Sequence, residues 1–139
     1  MTTVTDHPAR TAGLASQAAV RARDKQAWLA LFAPDAVVED PIGPSGFDPE
    51  GKGHHGTEAI AAFWDKAIAP TESIEFLFGD SFACGNEVAF TGLIRSRLGG
   101  HVIDAEGVFT YRVDAAGKLA ALRAYWEVDR AMRTARPAQ

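Results

Sequence analysis

Apolar positions recur at helical spacing near the start of the chain. Leu14, Ala18, Val20 and Ala22 lie in an alanine-rich stretch with no glycine after Gly13. Residues three and four apart share one face of an α-helix, so this spacing predicts a helical region over Ala12–Phe32. Arg23-Asp24-Lys25 interrupts the apolar stripe and predicts a corner between a long first helix and a short second one, Gln26–Phe32. Pro34-Asp35 punctuates the chain, and the β-branched run in Ala36–Asp40 reads as a short strand. Pro41–Gly56 is a loop rich in glycine and proline, and Thr57 is placed to cap a third helix, Ala59–Ala69. Beyond Ser73 the period falls to two. Ile74–Phe78, Glu87–Leu98, His101–Val113 and Leu119–Val128 alternate as strands do, separated by the turns Cys84-Gly85-Asn86, Gly99-Gly100 and Asp114–Gly117. Helices followed by antiparallel strands make an α+β chain, and a curved sheet wrapped around the long helix buries the apolar faces of both. Without repeats or a linker, a single domain over 1–139 is expected, with an ordered core at about 12–130.

Composition narrows the function classes. With 47% hydrophobic and 23% charged residues the chain is neither disordered nor unusual for a globular domain. The formal net charge of −4 comes with no clustered basic face, which argues against a nucleic-acid partner. Arg130, Arg133 and Arg136 sit in an alanine-diluted tail that reads as a solvated terminus. The lone Cys84 cannot form an internal disulfide and reads as a buried or turn-flanking thiol, so a cytoplasmic setting is expected. No apolar run approaches the ~18 residues of a membrane span, and Met1–Arg10 lacks the hydrophobic segment of a signal peptide. His54-His55 has no third ligand nearby and neighbours seldom share one ion, so a flexible, solvated loop is expected and no metal.

The candidate chemistry lies at the end of the first strand. Strand alternation sends Glu39 and Asp40 to opposite faces. If Val38 points inward, Asp40 points inward with it, at the mouth of an apolar cavity, with Pro41 stiffening the backbone behind it. Partial desolvation there would raise its pKa and strengthen it as a base. The other reading is a strand that ends in two solvated acids. Residue chemistry leaves both open.

Leu31-Phe32-Ala33-Pro34-Asp35-Ala36-Val37-Val38-Glu39-Asp40-Pro41-Ile42-Gly43 resembles the Asp-Ala-x-Val-Glu-Asp-Pro-x-Gly block of the bacterial Δ5-3-ketosteroid isomerases, members of the SnoaL-like, nuclear-transport-factor-2-like (NTF2-like, cystatin-like) superfamily. Gly56–Trp64 is similar to the family's entry into its third helix, and Tyr111–Trp126 to its last hairpin. The resemblance covers most of Gln26–Val128. It implies a cone-shaped α+β fold, a homodimer, an apolar pocket and no cofactor. It also implies that Asp40 shuttles a proton between two carbons of a β,γ-unsaturated 3-ketosteroid, opposite hydrogen-bond donors that face the developing enolate oxygen.

The chain departs from the family at those donors. Ser16 stands where the resemblance places a tyrosine, and Phe109 where it places a protonated aspartic acid. Tyr111, on the face of Phe109 if alternation is regular, is a candidate phenol. Glu106 is a candidate acid if a bulge returns it to that face. Trp64 and Trp126 are candidates for stacking on a flat ligand, with Val38, Phe63 and Leu122 as cavity wall. The long loop before the third helix is a candidate lid. Three readings follow: a steroid isomerase, a non-catalytic binder of apolar small molecules such as steroids or polyketides, and a polyketide cyclase-like enzyme.

Overall fold

The computed structural model describes residues 7–138. Helix α1 spans Pro8–Arg21 and starts earlier than its apolar stripe predicts. His7 is the reason: its Nδ1 accepts the Ala9 N–H, while Pro8 occupies the first turn, where a missing N–H costs nothing. Helix α2, Lys25–Leu29, begins at a cap in which the Asp24 carboxylate accepts the Ala27 N–H. It ends before Phe32, which instead opens strand β1, Phe32–Glu39. Pro34 therefore lies inside a strand, and the pairing register slips between Phe32 and Val37, so the ladder is interrupted where no N–H is available.

The loop that follows is held in place. The Asp48 carboxylate accepts the N–H groups of Gly51 and Gly53, and His54–His55 forms a short strand β2 against Val37 and Val38. This corrects the flexible, solvated loop expected there. Helix α3, Gly56–Phe63, has His55 rather than Thr57 at its cap, and it continues as a π-helical turn, Trp64–Ile68. Arg23 reaches across from the corner after α1 and donates to the carbonyl oxygens of Ile68, Ala69 and Thr71, at and just past a helix end.

The strands β3 (Ser73–Cys84), β4 (Glu87–Leu98), β5 (His101–Val113) and β6 (Leu119–Tyr125) follow. The sheet order is β2-β1-β6-β5-β4-β3. It is a mixed sheet, not the antiparallel one expected, because β1 runs parallel to β6. β6 also stops at Tyr125, earlier than alternation suggested. Val128–Met132 forms a short helix, α4, and Arg136–Pro137 pairs with β5 as β7. The tail expected to be solvated is thus docked. Arg136 pairs with Asp104, which Arg95 grips with two further hydrogen bonds, and Arg130 pairs with Glu106.

Glycines set the curvature. Gly92 on β4 lies opposite Gly107 on β5, and the β3 register slips beside them at Gly79. A Cβ on Gly92 would strike the Leu77 carbonyl oxygen, and one on Gly107 the Tyr125 carbonyl oxygen. Only glycine permits that close approach, and so the sheet bends along this line. The concave face closes on α1 over a core that includes Trp28, Val38, Ile60, Val88 and Leu119.

Candidate functional site

Register brings the candidate residues onto one face. Val38 pairs with Leu122, Leu122 with Tyr111, and Ala124 with Phe109, so alternation aligns Val38 and Asp40 with Leu122 and Trp126, and with Phe109 and Tyr111. Val38, Leu122, Phe109 and Tyr111 are buried. Glu39 faces the other way, as alternation requires, and its carboxylate accepts a 2.7 Å hydrogen bond from Arg123.

Asp40 retains limited solvent contact, yet protein surrounds its carboxyl group. The loss of water raises its pKa above the ordinary 3.8. One interaction opposes this: the Trp126 indole N–H donates to Oδ1 at 2.6 Å. Trp126 follows the last residue of β6, and its position depends on the bend, because a Cβ on Gly107 would lie 3.1 Å from the Trp126 Cβ. The Asp40–Pro41 peptide is cis. The result is an oriented carboxylate with a raised pKa and limited solvent contact, which suits a general base.

Tyr111 is the buried phenol on this face, close enough to feel the Asp40 charge. Desolvation pushes its pKa up to about 12; the neighbouring Gln17 side chain opposes this, the Asp40 charge adds to it and Ser16 opposes it more weakly. The phenol therefore stays protonated at neutral pH and is available as a donor. Ser16 Oγ accepts the Trp28 indole N–H at 3.0 Å in the core and also contacts the Tyr111 phenol. Phe109 packs 5.2 Å from Phe78, within an aromatic group that includes Phe90.

The structure does not bring Glu106 to this face. The β4–β5 ladder runs without a slip from Glu87↔Arg112 to Leu98↔His101, so no bulge reverses its direction. Glu106 is exposed on the opposite side and ion-paired with Arg130. Trp64 is buried against Trp28, with ring centroids 5.3 Å apart, and Phe63 packs against His54 and Phe47. Phe47 ties the long loop onto α3, which is packing and not a free lid.

Gln17 went unrecognised in the sequence. It is 4% exposed and lies against the Tyr111 phenol. A glutamine on an alanine-rich helix looks like a solvent-facing residue, and only packing shows it turned inward. Gly92 and Gly107 did carry a signal, being isolated glycines inside alternating strands.

A SnoaL-like domain family matches residues 15–122. Among solved structures, RV0760c from Mycobacterium tuberculosis is 40% identical, with a TM-score of 0.86 over 91% of this chain and 96% of that one. That protein has also been solved with estradiol-17beta-hemisuccinate. A Δ5-3-ketosteroid isomerase from Mycobacterium sp. is 38% identical, with a TM-score of 0.84 over 89% of this chain and 96% of that one. A computationally designed 17-OHP binder is 37% identical, with a TM-score of 0.83 over 90% and 95% of the two chains. Among the described residues no helix is long and apolar enough to cross a membrane.

Proposed function

The chain belongs to the SnoaL-like domain family, and on that premise we propose that it is a cofactor-independent isomerase that moves a C=C bond of a steroid-like 3-oxo-Δ5 ketone into conjugation. The observation that carries the reading is the Asp40 carboxylate, raised by burial and held by Trp126 on the apolar face shared with Tyr111. Asp40 would take a proton from the carbon between the carbonyl and the double bond. The electron pair then spreads onto the carbonyl oxygen as a dienolate, to which the Tyr111 phenol would donate a hydrogen bond. Asp40 returns the same proton to the γ-carbon, so neither oxidant nor cofactor is needed. One similar protein solved with estradiol-17beta-hemisuccinate and another designed to bind 17-OHP support a ligand of that size and polarity.

The test is direct. Conversion of 5-androstene-3,17-dione to its conjugated enone is followed by absorbance for wild type and Asp40→Asn. Turnover that the substitution abolishes is expected; turnover that survives it would remove Asp40 from the mechanism.

A second reading, a binder without catalysis, draws on the packing of Phe109 among phenylalanines. That packing presents no donor to an enolate. Saturable steroid binding without turnover would favour it. A homodimer is part of the proposal: Leu77, Phe82, Val108 and Tyr125 are exposed on the convex face of the sheet, an apolar surface suited to a second copy. Light scattering that returns a monomer would exclude it.

A further inference from the structure

Helix α1 rests directly on Tyr111. A Cβ on Gly13 would lie 2.8 Å from Tyr111 Cδ1 and 2.9 Å from Phe90 Cε1, so no side chain separates helix from ring at that turn. Ser16 and Gln17 stand three and four residues further on, the spacing that keeps them on the face Gly13 presents. Both are buried, and both hydrogen-bond the Tyr111 phenol.

The supply of donors sets the direction of these bonds. The Trp28 indole can only donate, so Ser16 Oγ accepts from it and keeps its own proton for Tyr111. The Gln17 Nε2 has no other partner among the described residues, and a buried amide N–H needs an acceptor. The phenol oxygen can accept from both α1 side chains. With both bonds made, the phenol's own proton points away from these donors, on the face that Tyr111 shares with Val38 and Asp40. The chain from Trp28 through Ser16 to Tyr111 is then polarised in one direction.

We propose that Ser16 and Gln17 are positioning residues, which donate to the Tyr111 oxygen from α1 and leave its proton free for a ligand's oxygen at the Asp40 site. The kinetic consequence rests on the isomerase reading; the hydrogen bonds do not.

Two measurements test this. In protein grown with 3-fluorotyrosine, 19F NMR follows the Tyr111 phenol, whose resonance is the one lost in Tyr111→Phe. Fluorine makes the phenol more acidic and brings its titration into a range the fold tolerates. Asp40, at the end of β1, is the charged group acting on it; Ser16 and Gln17 on α1, Val88 and Phe90 on β4 and Leu122 on β6 carry no charge. Gln17→Met keeps the length of the side chain but donates nothing to the phenolate. The titration should therefore move about one pH unit higher, a tenfold change in the ionisation equilibrium. Ser16→Ala should move it the same way.

The second measurement is a double-mutant cycle on 5-androstene-3,17-dione. Gln17→Met should lower kcat about tenfold with KM little changed, because the phenol's bond strengthens as the enolate forms. In the Tyr111→Phe background the same substitution should cost nothing further. A Tyr111 titration that stays in place or moves lower in Gln17→Met, or a kcat loss that persists without the phenol, would overturn the assignment. Wild type without turnover would remove the isomerase reading and leave the titration to decide the hydrogen bonds.

Discussion

Replacing Trp126 by phenylalanine removes one hydrogen bond, the 2.6 Å contact to Asp40 Oδ1, and keeps most of the ring's apolar area. That bond favours the charged carboxylate against the desolvation that raises its pKa. A hydrogen bond to a charged group contributes about 1.5–3 kcal/mol net. Both residues keep partial solvent contact, so the lower end applies. That is about tenfold in the ionisation equilibrium. Without the bond Asp40 is harder to ionise, and the acid limb of the kcat/KM profile moves to higher pH. Low on that limb the rate falls about tenfold, while the plateau at higher pH changes far less. Titration of the Asp40 carboxyl carbon by 13C NMR reads the same displacement without turnover. A limb that stays in place, or moves to lower pH, in both measurements would refute the reasoning. It would mean that water entering beside the smaller ring relieves more desolvation than the indole supplied.

Three further outcomes follow from the same structure. Asp40→Asn keeps an acceptor for Trp126 but removes a charge that burial penalises. Because the folded pKa is raised, the native carboxylate is disfavoured at neutral pH. The variant should therefore melt a few degrees higher at about pH 7, with the gain fading as pH falls through the raised folded pKa and gone below the ordinary 3.8; equal melting temperatures at neutral pH would contradict this. Ser16→Ala strips the acceptor from the buried Trp28 indole and should cost about 1–3 kcal/mol in urea denaturation; a neutral result would mean that another acceptor replaces Oγ. Gly107→Ala drives a methyl group into the Tyr125 carbonyl oxygen and towards Trp126. It should cost about 1–3 kcal/mol and displace the Trp126 fluorescence; an unchanged spectrum and stability would show that the bend yields freely.

Much of the architecture is legible from local patterns. The long β4 and β5 strands match their alternation, since each residue reports its own face at a period of two. The opposed directions of Glu39 and Asp40 follow from the same rule. Errors gather where a distant partner overrides a local signal. Pro34 looks like a stop, but a register slip accommodates it inside β1. His54–His55 looks like loop until β1 offers it a ladder. The arginine-bearing tail looks solvated until Asp104 and Glu106 are brought beneath it.

The site divides the same way. Asp40 is readable by position in its strand, and the family likeness fits it. What surrounds it is not, because hydrogen bonds join residues far apart in sequence: Trp126 to Asp40 across 86 positions, for example. By itself the sequence determines the α+β order and the inward aim of the carboxylate once Val38 is placed. Tertiary structure alone decides that Glu106 faces away, that Ser16 is bound to Trp28, and that Gln17 is turned inward against Tyr111. Strand periodicity is a local property. The burial of a polar group and the identity of its partner depend on how the curved sheet closes over α1.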